Sequence, residues 1–179
     1  MRLVITEHAR HGWWVSDYAR DFELLDLWQY PIEAERREDF EIFLEVHDMV
    51  EMVKDTSIVV RALFGVRLVM GRIFGWDDPG SDSEGDGRVA GFDEVYRDGR
   101  ELVLRTENAT VTALMHLGWV ELPHGRFTAQ LAVYAIPKGA IGRGYMALIS
   151  PFRHTLVYPA LMRAGKRRWR ERMERVRAA

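Results

Sequence analysis

The chain has 179 residues, 47% of them hydrophobic and 20 of them Phe, Trp or Tyr, which suits one domain able to bury a sizeable core unaided. Cysteine is absent, so disulfides, thiol nucleophiles, iron–sulfur clusters and thiolate zinc sites are excluded together. The net charge of −2 hides an imbalance, because Leu161 to Ala179 carry eight Lys or Arg against two Glu and leave the remainder about eight units negative.

The opening residues, MRLVITEHAR, lack the apolar run of a signal peptide. Trp13 to Val15 reads as an early strand, and Phe22 to Trp28 as a second extended piece. Asp39 to Val53 has helical spacing, with Ile42, Val46, Met49, Val50 and Val53 on one stripe and Glu41, Glu45 and Asp48 opposite. Ser57 suits the N-cap of a second helix running to about Phe74. The apolar run Ile58 to Trp76 within it is broken by Arg61, Arg67 and Arg72, which argues against a membrane span. These features together read as a soluble, cytoplasmic protein.

Residues 77–87 read as an acidic, flexible loop. Asp82, Glu84, Asp86, Gly87 and Asp93 match calcium-loop offsets, but the last position is Asp where a bidentate Glu is wanted, so the reading is an acidic loop and no metal site. Beyond it the period changes. Glu94–Arg97 and Glu101–Thr106 flank Asp98-Gly99, a hairpin signal. Thr110–Val120 and Arg126–Ile136 follow as long strands. Val111, Ala113, Met115, Leu117 and Trp119 share one face with Phe127, Ala129, Leu131, Val133 and Ala135, while Thr110, Thr112, His116, Arg126, Thr128 and Gln130 mark an opposite face expected to be mostly wet. Pro137 to Gly144 reads as a turn, and helical spacing returns from Tyr145. Pro151 and Pro159 interrupt that helix, and Ser150-Pro151 suggests two helices meeting. A basic tail, 171–179, closes the chain as a solvated helix end. The order of elements is α+β in one domain, 1–170.

Phe74-Gly75-Trp76-Asp77-Asp78-Pro79, His116-Leu117-Gly118-Trp119-Val120 and the block from Tyr134 to Leu161 resemble the bacterial domain of unknown function 2867. The resemblance covers about His11 to Trp169. It implies a START-like helix-grip fold: a curved antiparallel sheet wrapped around a long C-terminal helix, with two helices after the first strand. It also implies an apolar ligand between sheet and helix. Related proteins include lipid carriers, polyketide cyclases and interaction modules, so the resemblance supplies a pocket without a reaction.

The expected function is binding of an apolar or amphipathic small molecule between sheet and helix, through Met115, Leu117, Trp119, Phe127, Leu131, Val133, Leu148 and Phe152. Two alternatives remain open. One is a cyclase or isomerase acting on a polyketide-like substrate, the other a non-catalytic interaction domain with a filled core. For a reaction, the proton-transfer group is expected from Tyr145, His154 or Tyr158, with Arg153 steadying an enolate or carboxylate. Phe152 is expected to face the core, with Arg153 and His154 at the pocket edge or outside it. The histidines have no metal-ligand spacing, and Gly139, Gly142 and Gly144 have the wrong order for a dinucleotide fingerprint, so no cofactor is expected. A net acidic chain whose tryptophans fall in regular elements also argues against nucleic acid as partner.

Overall fold

A computed structural model describes His8 and residues 11–47, 88–89, 92–107 and 110–178. The second helix expected over 57–74, the acidic loop and most of the proposed calcium loop lie outside these residues. The described elements in chain order are α1 (Trp14–Tyr18), β1 (Glu23–Gln29), α2 (Asp39–Val46), β2 (Arg88–Val89), β3 (Phe92–Arg97), β4 (Glu101–Glu107), β5 (Val111–Glu121), β6 (Phe127–Pro137), α3 (Gly139–Phe152), a π-helical turn (Arg153–Val157) and α4 (Tyr158–Ala178). The strands form one antiparallel sheet in the order β1-β6-β5-β4-β3-β2. The fold is α+β, with a long helix at the C-terminal end.

The long strands alternate as their sequence requires. Met115, Leu117, Trp119, Ala129 and Leu131 meet α2 and α4 in one core, into which Trp169 is inserted. Trp169 lies 6.1 Å from Trp119 and 6.4 Å from Phe43, ring to ring, in an aromatic cluster worth about 1 kcal/mol per pair beyond area burial. On α4, Tyr158, Leu161, Gly165 and Trp169 repeat at helical spacing and form its buried stripe. The helix continues through Ala178, so the basic tail is its last turns.

Four expectations are corrected here. Trp14 to Tyr18 is a helix, not a strand: Trp13 and Val15 are both buried, and Trp14 stacks on Tyr18 one turn later. On α2 the buried residues are Asp39, Phe40 and Phe43, with His47 buried just beyond its end, because the larger aromatic side chains take the core and leave Ile42 and Val46 half-buried. The helix after β6 starts at Gly139, within the expected turn and ahead of the expected start at Tyr145. Its start lies against β5, where a Cβ on Gly142 would stand 2.2 Å from the Thr110 carbonyl oxygen.

The fourth correction concerns the face expected to be wet. His116, Thr128 and Gln130 do point away from the α4 side, yet all three are buried. Trp13, Val15 and Ala19 cover that face and make a second core with Leu27, Val103, Leu114, Val120, Ala132 and Tyr134. Gly118 permits the approach, since a Cβ there would sit 2.9 Å from the Trp13 ring. The Glu101 carboxylate accepts from the Trp14 amide at 2.8 Å, which anchors α1 to β4. The sheet is therefore the middle layer of three.

Candidate functional site: a buried carboxylate at a bulge and a π turn

β1 carries two acids, the exposed Glu23 at its start and Asp26, which lies among Leu24, Leu25, Leu27 and Trp28. Simple alternation would put Leu24 and Asp26 on the same face. The pairing with β6 shifts between them, so Leu24 lies opposite Tyr134 while Asp26 lies opposite Val133. One extra residue, Leu25, is accommodated as a bulge. Leu24 then serves the Trp13 side, and Asp26 joins Trp28 on the α4 side.

The helix meets Asp26 with a second irregularity. Pro159 has no N–H for the Thr155 carbonyl, and Pro151 none for that of Ala147, so α-helical bonding fails on both sides of 153–157. The amide of Tyr158 bonds instead to the Arg153 carbonyl, an i to i+5 link. The Thr155 hydroxyl donates to the Pro151 carbonyl at 2.8 Å. In an α-helix, residues five apart lie about 140° apart around the axis. The wider π turn stacks Arg153 above Tyr158, and both then reach one carboxylate. The helices join here, not at Ser150-Pro151, because α3 runs on through the first proline.

Asp26 is fully buried and has three partners. His154 Nε2 donates to Oδ1, the Tyr158 hydroxyl donates to Oδ2 at 2.9 Å, and Arg153 Nη1 lies 3.2 Å from Oδ2. Burial, then the adjacent Asp26 charge, push the Tyr158 phenol far above its ordinary range, so it remains a donor. Trp28 stacks on Tyr158 with ring centroids 5.3 Å apart. The side chains of Arg153 and His154 are 16% and 23% exposed, so this otherwise internal cluster reaches solvent through them. The Arg153 Nε and Trp28 Nε1 groups are buried without a hydrogen-bond partner. Chemically the group combines a carboxylate, a titratable imidazole, a neutral phenol and a fixed cation.

The structure thus brings together Arg153, His154 and Tyr158 from the expected catalytic set, around an acid that sequence reasoning passed over. The signal available was an Asp flanked on both sides by apolar residues, Leu24-Leu25 and Leu27-Trp28. Tyr145 falls in α3, and its side chain lies outside the described parts. Among the expected lining residues, Met115, Leu117, Trp119 and Leu131 are buried on the α4 side, with Phe127 and Val133 half-buried beside them. Leu148 and Phe152 do not line that core. They are 66% and 45% exposed, because α3 buries little besides Gly142.

Around Trp119 the space between sheet and helices is filled by Phe40, Phe43, Phe127 and Trp169. Further along the sheet a cavity of about 210 Å³ remains, walled by Leu44, Leu102, Leu104, Met115 and Leu117 and rimmed by Glu45, His47, Glu94 and Arg97. It shares rows of the sheet with the carboxylate. Asp26, Val133, Met115 and Leu104 are successive cross-strand partners, as are Trp28, Leu131, Leu117 and Leu102. Two inter-strand steps, about 10 Å, separate Asp26 from Met115 on one face.

A three-layer α+β protein with a buried carboxylate cluster beside an apolar cavity is the class that this geometry defines. The chain belongs to the family described as protein of unknown function (DUF2867), whose model matches residues 18–160. No curated protein and no solved structure matches it. Among the described residues no helix is long and apolar enough to cross a membrane, and no group of three or more His, Asp or Glu is placed to hold a metal ion.

Proposed function

We propose that this protein binds one small apolar or amphipathic molecule on the α4 side of its sheet, in a fold of the START-like helix-grip type. The observation that carries this reading is the cavity at Met115 and Leu117, which lies in the same sheet rows as the Asp26 cluster. Removal of apolar surface from water would drive binding, at about 25 cal/mol per Å² before ordering costs. The polar rim would fix orientation. A cavity of about 210 Å³ suits a ligand of modest size, or the inner end of a longer one.

Native mass spectrometry of protein purified from its own host tests the reading. A bound small molecule is expected in wild type and not in Met115→Trp, which fills the cavity. Protein free of ligand from every preparation would favour the interaction-domain alternative.

The Asp26 cluster favours a second reading, a cyclase or isomerase. His154, held by Asp26, would take and return a proton, Tyr158 would donate, and Arg153 would stabilise a developing oxyanion. His154→Gln and Arg153→Met, assayed on the copurified molecule, separate the two. Turnover reduced a hundredfold or more with binding retained supports catalysis. Binding lost without any turnover in wild type supports the carrier.

A further inference from the structure

From Gly139 to Arg170 the chain contains no Asp or Glu, and it carries seven Lys or Arg. This segment comprises α3, the π turn and most of α4. Its exposed side is chemically unusual in two ways. Ile141, Leu148 and Phe152 are 69%, 66% and 45% exposed, at spacings of seven and four that put them on one face of α3. Leu156 continues the row at 37% exposure. Arg143, Arg163, Lys166 and Arg170 are also exposed, the last three at intervals that set them on one side of α4, away from the stripe ending in Trp169. Bases further along α4 are matched by acids, Arg172 by Glu45 at 3.1 Å and Arg177 by Glu35 at 3.7 Å.

We infer that this side of the C-terminal helical segment is a docking surface for an anionic lipid bilayer. Exposed aliphatic and aromatic side chains enter the acyl boundary, and the flanking cations meet acidic headgroups. Nucleic acid fits less well, because a phosphate backbone offers nothing to Ile141, Leu148 and Phe152. A second copy of the chain fits less well again, since two such faces would oppose like charges. The acidic remainder of the protein supplies orientation, as it is repelled from the same surface. The surface is separate from the cavity of the proposed function, so either can fail alone.

Vesicle co-sedimentation of the full chain provides the test, with phosphatidylserine and phosphatidylcholine in equal parts compared with phosphatidylcholine alone. Binding is expected to the mixed vesicles, at least tenfold weaker to the neutral ones, and weakened by salt within the physiological range. Leu148→Ser with Phe152→Ser, and separately Arg163→Glu with Lys166→Glu, should each reduce it tenfold or more. These are exposed positions, and an unchanged circular dichroism spectrum and melting midpoint would show the variants folded. Equal binding to both vesicle types, no binding to either, or binding unaffected by both variant pairs would overturn the proposal. So would tighter binding to duplex DNA than to the mixed vesicles, or a dimer in sedimentation velocity that the Leu148 and Phe152 changes dissociate.

Discussion

Asp26 is a buried charge whose cost is met only by its partners. Asparagine there keeps the shape but removes the counter-charge of Arg153 and an acceptor for Tyr158 or His154. Asp26→Asn should therefore destabilise by about 3 kcal/mol, read as a fall in the urea midpoint at constant slope. Arg153→Met should cost less, because His154 and Tyr158 still hold the carboxylate. On the far side of the sheet, His8 Nδ1 donates to Gln130 at 3.3 Å and its ring lies 5.1 Å from that of His116. Burial, then the neighbouring His116, lower the His8 pKa from 6.5 to about 4, and burial lowers that of His116 against the pull of Glu101. Imidazoles depressed on folding bind protons more readily in the unfolded chain. Their neutral form supports the fold above the unfolded pKa, and that support is lost as pH falls from about 6.5 towards 4. The loss from His8 is on the order of 3 kcal/mol. Urea midpoints across this range should fall in wild type and fall less steeply in His8→Gln.

At the scale of elements, α3 is held lightly, since Gly142 is the one buried residue among its described side chains and backbone positions. Its start is fixed where Gly142 passes the Thr110 carbonyl, and the Lys138 amide donates to the same oxygen at 2.7 Å. Gly142→Ala must push helix and strand apart and should cost about 1–3 kcal/mol. Gly144, one turn fraction further on, has open space around a would-be Cβ. Gly144→Ala should be neutral or stabilise by about 0.5–1 kcal/mol. A thermal melt of both variants checks the pair, and equal losses would contradict this placement of α3. Elements whose signals were local were legible in the sequence: β4 to β6 fall within a few residues of their expected ranges, and the Asp98-Gly99 hairpin is present, with Asp98 Oδ1 accepting from the Arg100 and Glu101 amides at 2.8 Å each. Asp26 was not legible, because a bulge leaves no mark in composition and inverts the parity by which faces are assigned. The convergence of Arg153 with Tyr158 was hidden for the same reason, since 100° per residue is the wrong angle through a π turn.

At the scale of the molecule, alternation correctly sorted the two faces of the sheet but could not reveal that the polar one is covered. That cover comes from Trp13, Val15 and Ala19, about 100 residues away in sequence, and no strand pattern records it. Gln130, 3% exposed beside His8, is accordingly a core position despite its polarity. The two outer layers should also contribute unequally. Trp13→Ala removes a large side chain from the second core and should cost about 3–5 kcal/mol. Removal of residues 172–179 takes away Met173, half-buried against the first core, and the ion pair with Glu45, and should cost about 1–2 kcal/mol. Denaturant titration of both variants ranks the layers.

The bulge at Leu25 and the π turn at 153–157 are each one residue longer than the regular element they interrupt, so each is a point where the chain has absorbed an extra residue. Deleting Leu25 would turn Leu24 and Asp26 into neighbours of a regular ladder, with Leu24 still opposite Tyr134 and Asp26 still opposite Val133. Deleting Leu156 would return the π turn to α-helical spacing, with Arg153 four residues before Tyr158 and still on its side of the helix. Neither deletion removes a member of the cluster, and either would leave its members facing one another. Two single-residue irregularities thus mark where this part of the chain can change length without losing phase, and a gap elsewhere in β1 or α4 has no such slack.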